Sequence, residues 1–237
     1  MKINIQKLKK TFGEKTAVDI AAFSSTSNEI IGIVGNNGAG KTTLFRLMLD
    51  LLKADDGTIE YDNNGAIIIP SQTEAWKDFT GAYIDDGFLI DFLTPEEYFQ
   101  FLARINGISD QQLQDHLARF EAMMNGEILG QNKLIRTFSA GNKQKIGIIA
   151  AMLHKPQLLI LDEPFNFLDP TSQNLLKKLL EDYHNETAAT ILISSHNLQH
   201  TIDISTRVIL LESGKIIKDL DNHDKKAEQE LETYFQI

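Results

Sequence analysis

Apolar and polar residues alternate at the start of the chain, where Ile3 and Ile5 flank Asn4, and this spacing predicts a half-buried strand. Residues 17–23 are mostly apolar. Glu29-Ile30-Ile31-Gly32-Ile33-Val34 is a continuous apolar run ending at a glycine, as expected of a strand inside a sheet. From residue 42 to 52 the period becomes helical, with Leu44, Leu47, Leu51 and Leu52 on one face, and Asp55-Asp56-Gly57 ends the run in a turn. Residues 58–61 and 66–69 predict hairpin strands around Asp62-Asn63-Asn64-Gly65.

Beyond Thr94 the pattern turns helical for a long stretch. Thr94-Pro95-Glu96-Glu97 carries a cap, a first-turn proline and acids near the positive end of the helix dipole, and Tyr98, Phe99, Leu102 and Ile105 follow as an apolar face. Asn106-Gly107 stops it. Residues 109–124 repeat the design as one helix, with Ser109 as cap and Leu113, Leu117 and Phe120 in register. Residues 158–161, 190–194 and 208–211 then predict buried strands, with a helix over 170–184 between the first two. The outline is an α/β core interrupted by a helical subdomain at roughly 86–155, with no internal repeat and no low-complexity linker.

Composition narrows the picture. The 237 residues suffice for one substantial domain with its own core, and zero cysteines exclude a disulfide framework and thiolate metal sites, which fits the cytosol. Lys+Arg 23 against Asp+Glu 33 gives 23 − 33 = −10, a field that disfavours nucleic acid and anionic lipid, so nucleic acid is not an expected partner. The longest apolar run, residues 146–153, meets His154-Lys155-Pro156 well short of the roughly 20 residues that span a bilayer. The start, MKINIQKLKK, lacks a signal-peptide core. A soluble polypeptide is expected, and any membrane part would come from another chain.

Two motifs carry phosphate chemistry. Gly35-Asn36-Asn37-Gly38-Ala39-Gly40-Lys41-Thr42-Thr43, after a buried strand and before an apolar helix, fits the P-loop. Its backbone N–H groups converge on phosphates, Lys41 places a cation near the β and γ groups, and the Thr42 hydroxyl can ligate Mg²⁺. The strand at 158–161 ends in Asp162-Glu163-Pro164, where Asp162 can reach a metal through water and Glu163 can polarise an attacking water.

Between them stands Phe138-Ser139-Ala140-Gly141-Asn142, followed by Lys143-Gln144-Lys145. This turn resembles the Leu-Ser-Gly-Gly-Gln signature of the ATP-binding cassette (ABC) ATPases, keeping the serine and Gly141 and departing at Ala140 and Asn142. Other positions of the family pattern follow in order. Phe165-Asn166-Phe167-Leu168-Asp169-Pro170 resembles the D-loop, with Phe167 replacing the glycine common in exporter-type members. His196 resembles the switch histidine. Phe12 sits where the family stacks an aromatic on adenine, and core packing is the alternative for that ring. Residues 81–86 resemble the lid loop, with Asp85 in the place of the family's glutamine as a residue beside Mg²⁺ or its waters; Gln72, which precedes the strand, is the alternative.

The resemblance spans essentially the whole chain. It implies a P-loop NTPase core of RecA-like type, a mixed sheet with flanking helices, carrying an antiparallel β subdomain and the inserted helical subdomain. The implied division is 1–85 and 156–220 as core, 86–155 as helical subdomain and 221–237 as a peripheral carboxyl-terminal segment with Leu231, Tyr234 and Phe235 as its apolar residues. It further implies a Mg²⁺-dependent ATPase forming a head-to-tail dimer, expected as a homodimer. ATP would lie between one subunit's P-loop and the other's Ser139 and Gly141, with Asp169 crossing the interface. Glu163, His196 and Lys41 are the expected catalytic groups, and Thr42, Asp162 and Asp85 the metal-side ones. The leading expectation is a subunit that powers a separate transmembrane permease, in the direction of export, from the cytoplasmic face of the membrane. A soluble ABC ATPase acting on a macromolecular assembly and a non-hydrolysing scaffold are the alternatives.

Overall fold

Alternation at the amino terminus produces a long hairpin, β1 (Lys2–Phe12) and β2 (Lys15–Ser24), which turns at Gly13-Glu14. β1 also pairs antiparallel with β4 (Asp56–Asn63), and β4 with β5 (Ala66–Ile68), closing a four-stranded antiparallel sheet in the order β2-β1-β4-β5. The computed structural model describes residues 1–225, 227, 228, 230 and 231.

The second sheet has six strands in the order β10-β9-β3-β8-β7-β6. β3 (Ile30–Val34), β6 (Thr80–Tyr83), β7 (Leu158–Leu161), β8 (Thr190–Ser195) and β9 (Arg207–Glu212) run parallel, and β10 (Lys215–Asp221) is antiparallel to β9. The central strands are buried throughout, as expected where both faces of a parallel sheet are covered. Register sets Val34 opposite Ser195 and Leu161 opposite Ile193, so the carboxyl ends of β3, β7 and β8 emerge side by side. In open parallel sheets such ends form the ligand crevice.

α1 (Lys41–Met48) follows β3 and packs Phe45 and Met48 against Ile5, Val18 and Tyr61 of the antiparallel sheet. Between β6 and β7 lies the helical subdomain: α2 (Pro95–Ile105), α3 (Asp110–Arg119), α4 (Glu121–Met124) and α5 (Ala140–Ala151). Capping boxes of Thr94 with Glu97 and Ser109 with Gln112 open α2 and α3, each cap worth about 1 kcal/mol. Phe99, Phe120, Met123 and Ile146 share one core with Leu159 and Ile191 of the sheet and Leu176 of α6 (Pro170–Thr187). α7 (Leu198–Ile204) packs on β3 and β8.

Three local expectations change. α1 stops at Met48, short of residue 52, because Asp50 adopts a left-handed φ of 50° and the N–H groups of Leu51 and Leu52 both return to the Arg46 carbonyl. The single helix expected over 109–124 breaks at Phe120, whose buried ring lies 4.9 Å from that of His116 while its N–H tightens onto the Leu117 carbonyl. β10 is an edge strand that charge conceals, since Lys215, Lys218, Asp219 and Asp221 interrupt its apolar residues. Of the carboxyl-terminal segment, Ala227 and Leu231 are buried with Val34, Ile202, Val208 and Leu210, whereas Tyr234 and Phe235 lie outside the described residues. Among the described residues no helix is long and apolar enough to cross a membrane.

Candidate functional site

The loop from Gly35 to Gly40 joins the buried end of β3 to the first turn of α1. Gly40 caps the helix at φ 110°, and a Cβ there would lie 2.3 Å from the Ala17 carbonyl oxygen, so both conformation and space demand glycine. Asn36 accepts the Ala39 N–H through its carbonyl at 3.1 Å, and the Ala39 carbonyl accepts the Gly214 N–H at 2.8 Å, which ties the loop to the β9–β10 turn. Lys41 is buried. Its Nζ donates to the Gly35 carbonyl at 2.7 Å and to the Asn36 carbonyl at 3.4 Å, and stands 3.3 Å from Glu163 Oε1.

At the end of β7, Asp162 receives two hydroxyls. Thr42 Oγ1 donates to its Oδ2 at 2.5 Å, and Ser194 Oγ donates to its Oδ1. Burial pushes the Asp162 carboxyl above its ordinary range, against the opposing pull of those two hydrogen bonds. A hydroxyl beside a carboxylate is a hard-oxygen donor pair that fits Mg²⁺. A bound cation would favour the ionised carboxylate and offset the burial.

Glu163 adopts φ 49°, a left-handed conformation that costs a non-glycine residue on the order of 1–3 kcal/mol and is held only where surroundings over-determine it. Those surroundings are specific. Its N–H donates to Ser194 Oγ at 2.9 Å, and its Oε2 meets His196 Nδ1 at 2.8 Å and the His196 N–H at 3.1 Å. Its carbonyl and that of Pro164 accept Gln144 Nε2, from α5. Lys41, Thr42, Asp162, Glu163 and His196 thus converge at the ends of β3, β7 and β8, and a cavity of about 400 Å³ is lined by Thr42, Asp162, Glu163, Asp85 and Gln144 among others.

Of the remaining expected residues, Asp85 lines that cavity and the others lie outside its lining. Ser139 caps α5, accepting the Asn142 N–H at 3.2 Å. Gly141 packs on the D-loop stretch of its own chain, since a Cβ there would lie 2.5 Å from the Phe167 carbonyl oxygen. Asp169 caps α6 through the Thr171 and Ser172 N–H groups, each at 3.0 Å, and the Ser172 hydroxyl; those bonds, that hydroxyl first, hold its carboxyl below the usual range. Phe12 is half exposed at the end of β1, with Lys10 Nζ 5.5 Å from its ring centre. Asp85, expected beside the metal, has both oxygens engaged: Oδ2 with Arg46 Nη2 at 3.0 Å and Oδ1 with the Gly87 N–H at 2.9 Å. Gln72 is exposed and absent from the cavity lining. Thr43 lies within the first turn of α1.

Ser194, Gln144 and Arg46 are the side chains that sequence reasoning missed. Ser194 carried a usable signal, a polar residue closing a buried apolar strand, because such a hydroxyl must find a partner.

A family model described as ABC transporter matches residues 18–166. The bacitracin transport ATP-binding protein of Bacillus licheniformis is 33% identical over 220 residues, which is 92% of this chain and 70% of that protein. The tungstate uptake system ATP-binding protein of Peptoclostridium acidaminophilum is 28% identical over 216 residues, 91% of this chain and 97% of that one. In fold, a dimeric ATP-binding cassette solved in a post-hydrolysis state with ADP and Pi superposes with a TM-score of 0.80 at 19% identity, covering 93% of this chain and 99% of that one. The chain therefore belongs to the ABC transporter family, as one of its ATP-binding ATPase subunits.

Proposed function

We propose that this chain powers a separate transmembrane permease for export: two copies pack head to tail over two ATP molecules, and ATP hydrolysis reopens the pair. The observation that carries the reading is the convergence of Lys41, Thr42, Asp162, Glu163 and His196 on one end of the sheet. In this scheme Lys41 leaves Glu163 for the β and γ phosphates, whose charge outweighs that of one carboxylate. Freed of Lys41, Glu163 accepts a proton from the attacking water while His196 holds it in line. The water oxygen bonds to the γ-phosphorus, the bond to the bridging oxygen breaks, and ADP leaves. Thr42 and Asp162 would hold Mg²⁺, which would supply charge neutralisation on the phosphate oxygens.

In this reading Phe12 stacks on the base, and Ser139, Gly141 and Asp169 face the second subunit's nucleotide. We divide the chain into core (1–85 and 156–220), helical subdomain (86–155) and peripheral segment (221–237). The dimer reading is supported by the dimeric cassette of similar fold, and export by the Asp85-Asp86 pair of the lid loop, which resembles exporter-type members. Through its permease the subunit would sit at the inner face of the cell membrane.

Glu163→Gln tests the base directly. ATP turnover should fall at least about 100-fold while ATP still binds, because the amide keeps the shape but cannot take the proton. Unchanged turnover would remove Glu163 from that role. Reconstitution with a co-purifying membrane protein in vesicles of known orientation tests direction, and ATP-dependent uptake toward the ATPase side would overturn export.

A further inference from the structure

Two serines close β8, and their hydroxyls face different partners. Ser195 Oγ accepts the Asn197 N–H at 2.9 Å, a local turn that leads into α7. Ser194 is fully buried, and its hydroxyl reaches across to the end of β7 instead. Register explains the reach. Leu161 lies opposite Ile193, so the next position of each strand sets Asp162 beside Ser194, where the ladder between β7 and β8 ends.

One hydroxyl there makes two bonds of opposite sense. It accepts the Glu163 N–H at 2.9 Å and donates its own proton to Asp162 Oδ1. An ionised carboxylate only accepts, so the direction of the second bond is fixed, and the lone pairs of Ser194 Oγ are left for Glu163. The other Asp162 oxygen takes Thr42 Oγ1 at 2.5 Å, while the Glu163 carbonyl is engaged by Gln144 and its carboxylate by His196. Among the described residues, Ser194 is thus the one side chain bonded both to the acid expected on the metal side and to the acid expected as the base. Glu163 follows Asp162 directly in the chain, so its φ of 49° decides where its carboxylate lies relative to that side. A polar N–H that loses its partner favours rearrangement of the residue that carries it.

We propose that Ser194 is a positioning residue that couples the two acids: its hydroxyl holds the Asp162 carboxylate in the orientation offered to Mg²⁺ and pins the backbone of Glu163, so that one group sets both the metal side and the base. The proposal rests on the reading of Glu163 given above. It assigns Ser194 no proton transfer to or from substrate.

Three variants of the purified full chain test this. Ser194→Ala removes the hydroxyl, Ser194→Cys fills the same buried space with a weak donor, and Ser194→Thr keeps the hydroxyl. Mn²⁺ binding to the ADP-loaded chain, followed by electron paramagnetic resonance, reads the metal side without turnover. In Ser194→Ala and Ser194→Cys that affinity should fall about 10-fold, and ATP turnover at saturating Mg²⁺ about 10- to 100-fold, the range for groups that orient a metal's ligands. ADP binding with the metal chelated should stay within about twofold, because the P-loop is untouched. Ser194→Thr should recover both losses. A merely structural hydroxyl would lower the melting temperature without moving Mn²⁺ affinity. Turnover lost at unchanged Mn²⁺ affinity, Mn²⁺ affinity lost at unchanged turnover, or threonine no better than alanine would each overturn the coupling. Unchanged turnover in Glu163→Gln would instead overturn the functional reading beneath it, while Mn²⁺ binding still reports on the hold of Ser194 on Asp162.

Discussion

The two halves of the proposed nucleotide site are built by different means. In the strand-end half, Lys41 and Asp162 are each 6% exposed, and the bond from the Glu163 N–H to Ser194 Oγ, with those its carboxylate accepts from His196, holds Glu163 in a strained backbone conformation. In the signature half, Ser139 and Gly141 open a helix at the surface, where the ion pair of Lys143 with Asp86, itself 53% exposed, adds to the Gln144 bonds to the Glu163 and Pro164 carbonyls. Buried, multiply bonded groups are preformed, whereas surface pairs yield at low cost. The difference teaches that the strand ends are held by buried bonds while the start of α5 is held mainly at the surface. The signature helix itself spans both regimes. Its first residues, Ser139 and Ala140, are exposed, and near its end His116 Nε2 meets the Ile149 carbonyl at 3.0 Å in the core of the helical subdomain.

That far anchor offers the largest way to break the contrast. Burial pushes His116 down to about 4, with Arg119 and Lys155 adding to the same direction; Asp115 and His154 share the hollow it faces. The imidazole is neutral in the fold, so the unfolded chain takes up a proton first as pH falls. Stability is therefore full above the ordinary histidine value near 6.5 and is lost as pH drops toward 4, by about 3 kcal/mol at the limit. Urea unfolding from pH 7 to pH 4.5 should show this slope, and His116→Gln should flatten it. An identical slope in that variant would mean that acid acts elsewhere.

How much of this was legible in the sequence follows the same division. The P-loop and Asp162-Glu163 are contiguous motifs whose chemistry depends on neighbours in the chain, and they were readable, as were the buried central strands, whereas α7 and β10 were not. Ser194 meets Asp162 only because β8 lies beside β7 in the sheet, and strand order is a long-range property that periodicity does not carry. Arg46 meets Asp85 across 39 positions for the same reason. Asp85 was read from its place in a motif as metal-side, while its hydrogen bonds to Arg46 and Gly87 were invisible. The stop at Met48 was missed because Leu51 and Leu52 keep helical spacing after the backbone has left the helix.

A second prediction separates the halves by function. Gly141→Ala places a Cβ 2.5 Å from the Phe167 carbonyl oxygen, so the signature turn and the D-loop stretch must part. Turnover should fall roughly 10- to 100-fold, equivalent to about 1.4–2.7 kcal/mol of lost transition-state stabilisation. The strand-end half is untouched, so ATP binding to the isolated subunit, followed by calorimetry, should stay within about twofold. Equal losses in binding and turnover would mean that the halves are not independent.

The smallest effect concerns Phe167, which is 75% exposed at φ 59°. A left-handed conformation costs an L-residue about 1–2 kcal/mol, and its ring gains little burial in return. Phe167→Gly removes that strain but gives the unfolded chain more freedom, worth about 0.5–1 kcal/mol in the other direction. The net should be a stabilisation of about 0.5 kcal/mol, read as a higher urea midpoint with unchanged slope. If the phenyl ring instead packs against the second subunit, the same substitution should weaken ATP-dependent dimerisation while stabilising the monomer. Sedimentation of the Glu163→Gln background with ATP, with and without Phe167→Gly, separates the two. Weaker dimerisation in the variant would account for a side chain tolerated at a strained, exposed position by a contact across the proposed dimer.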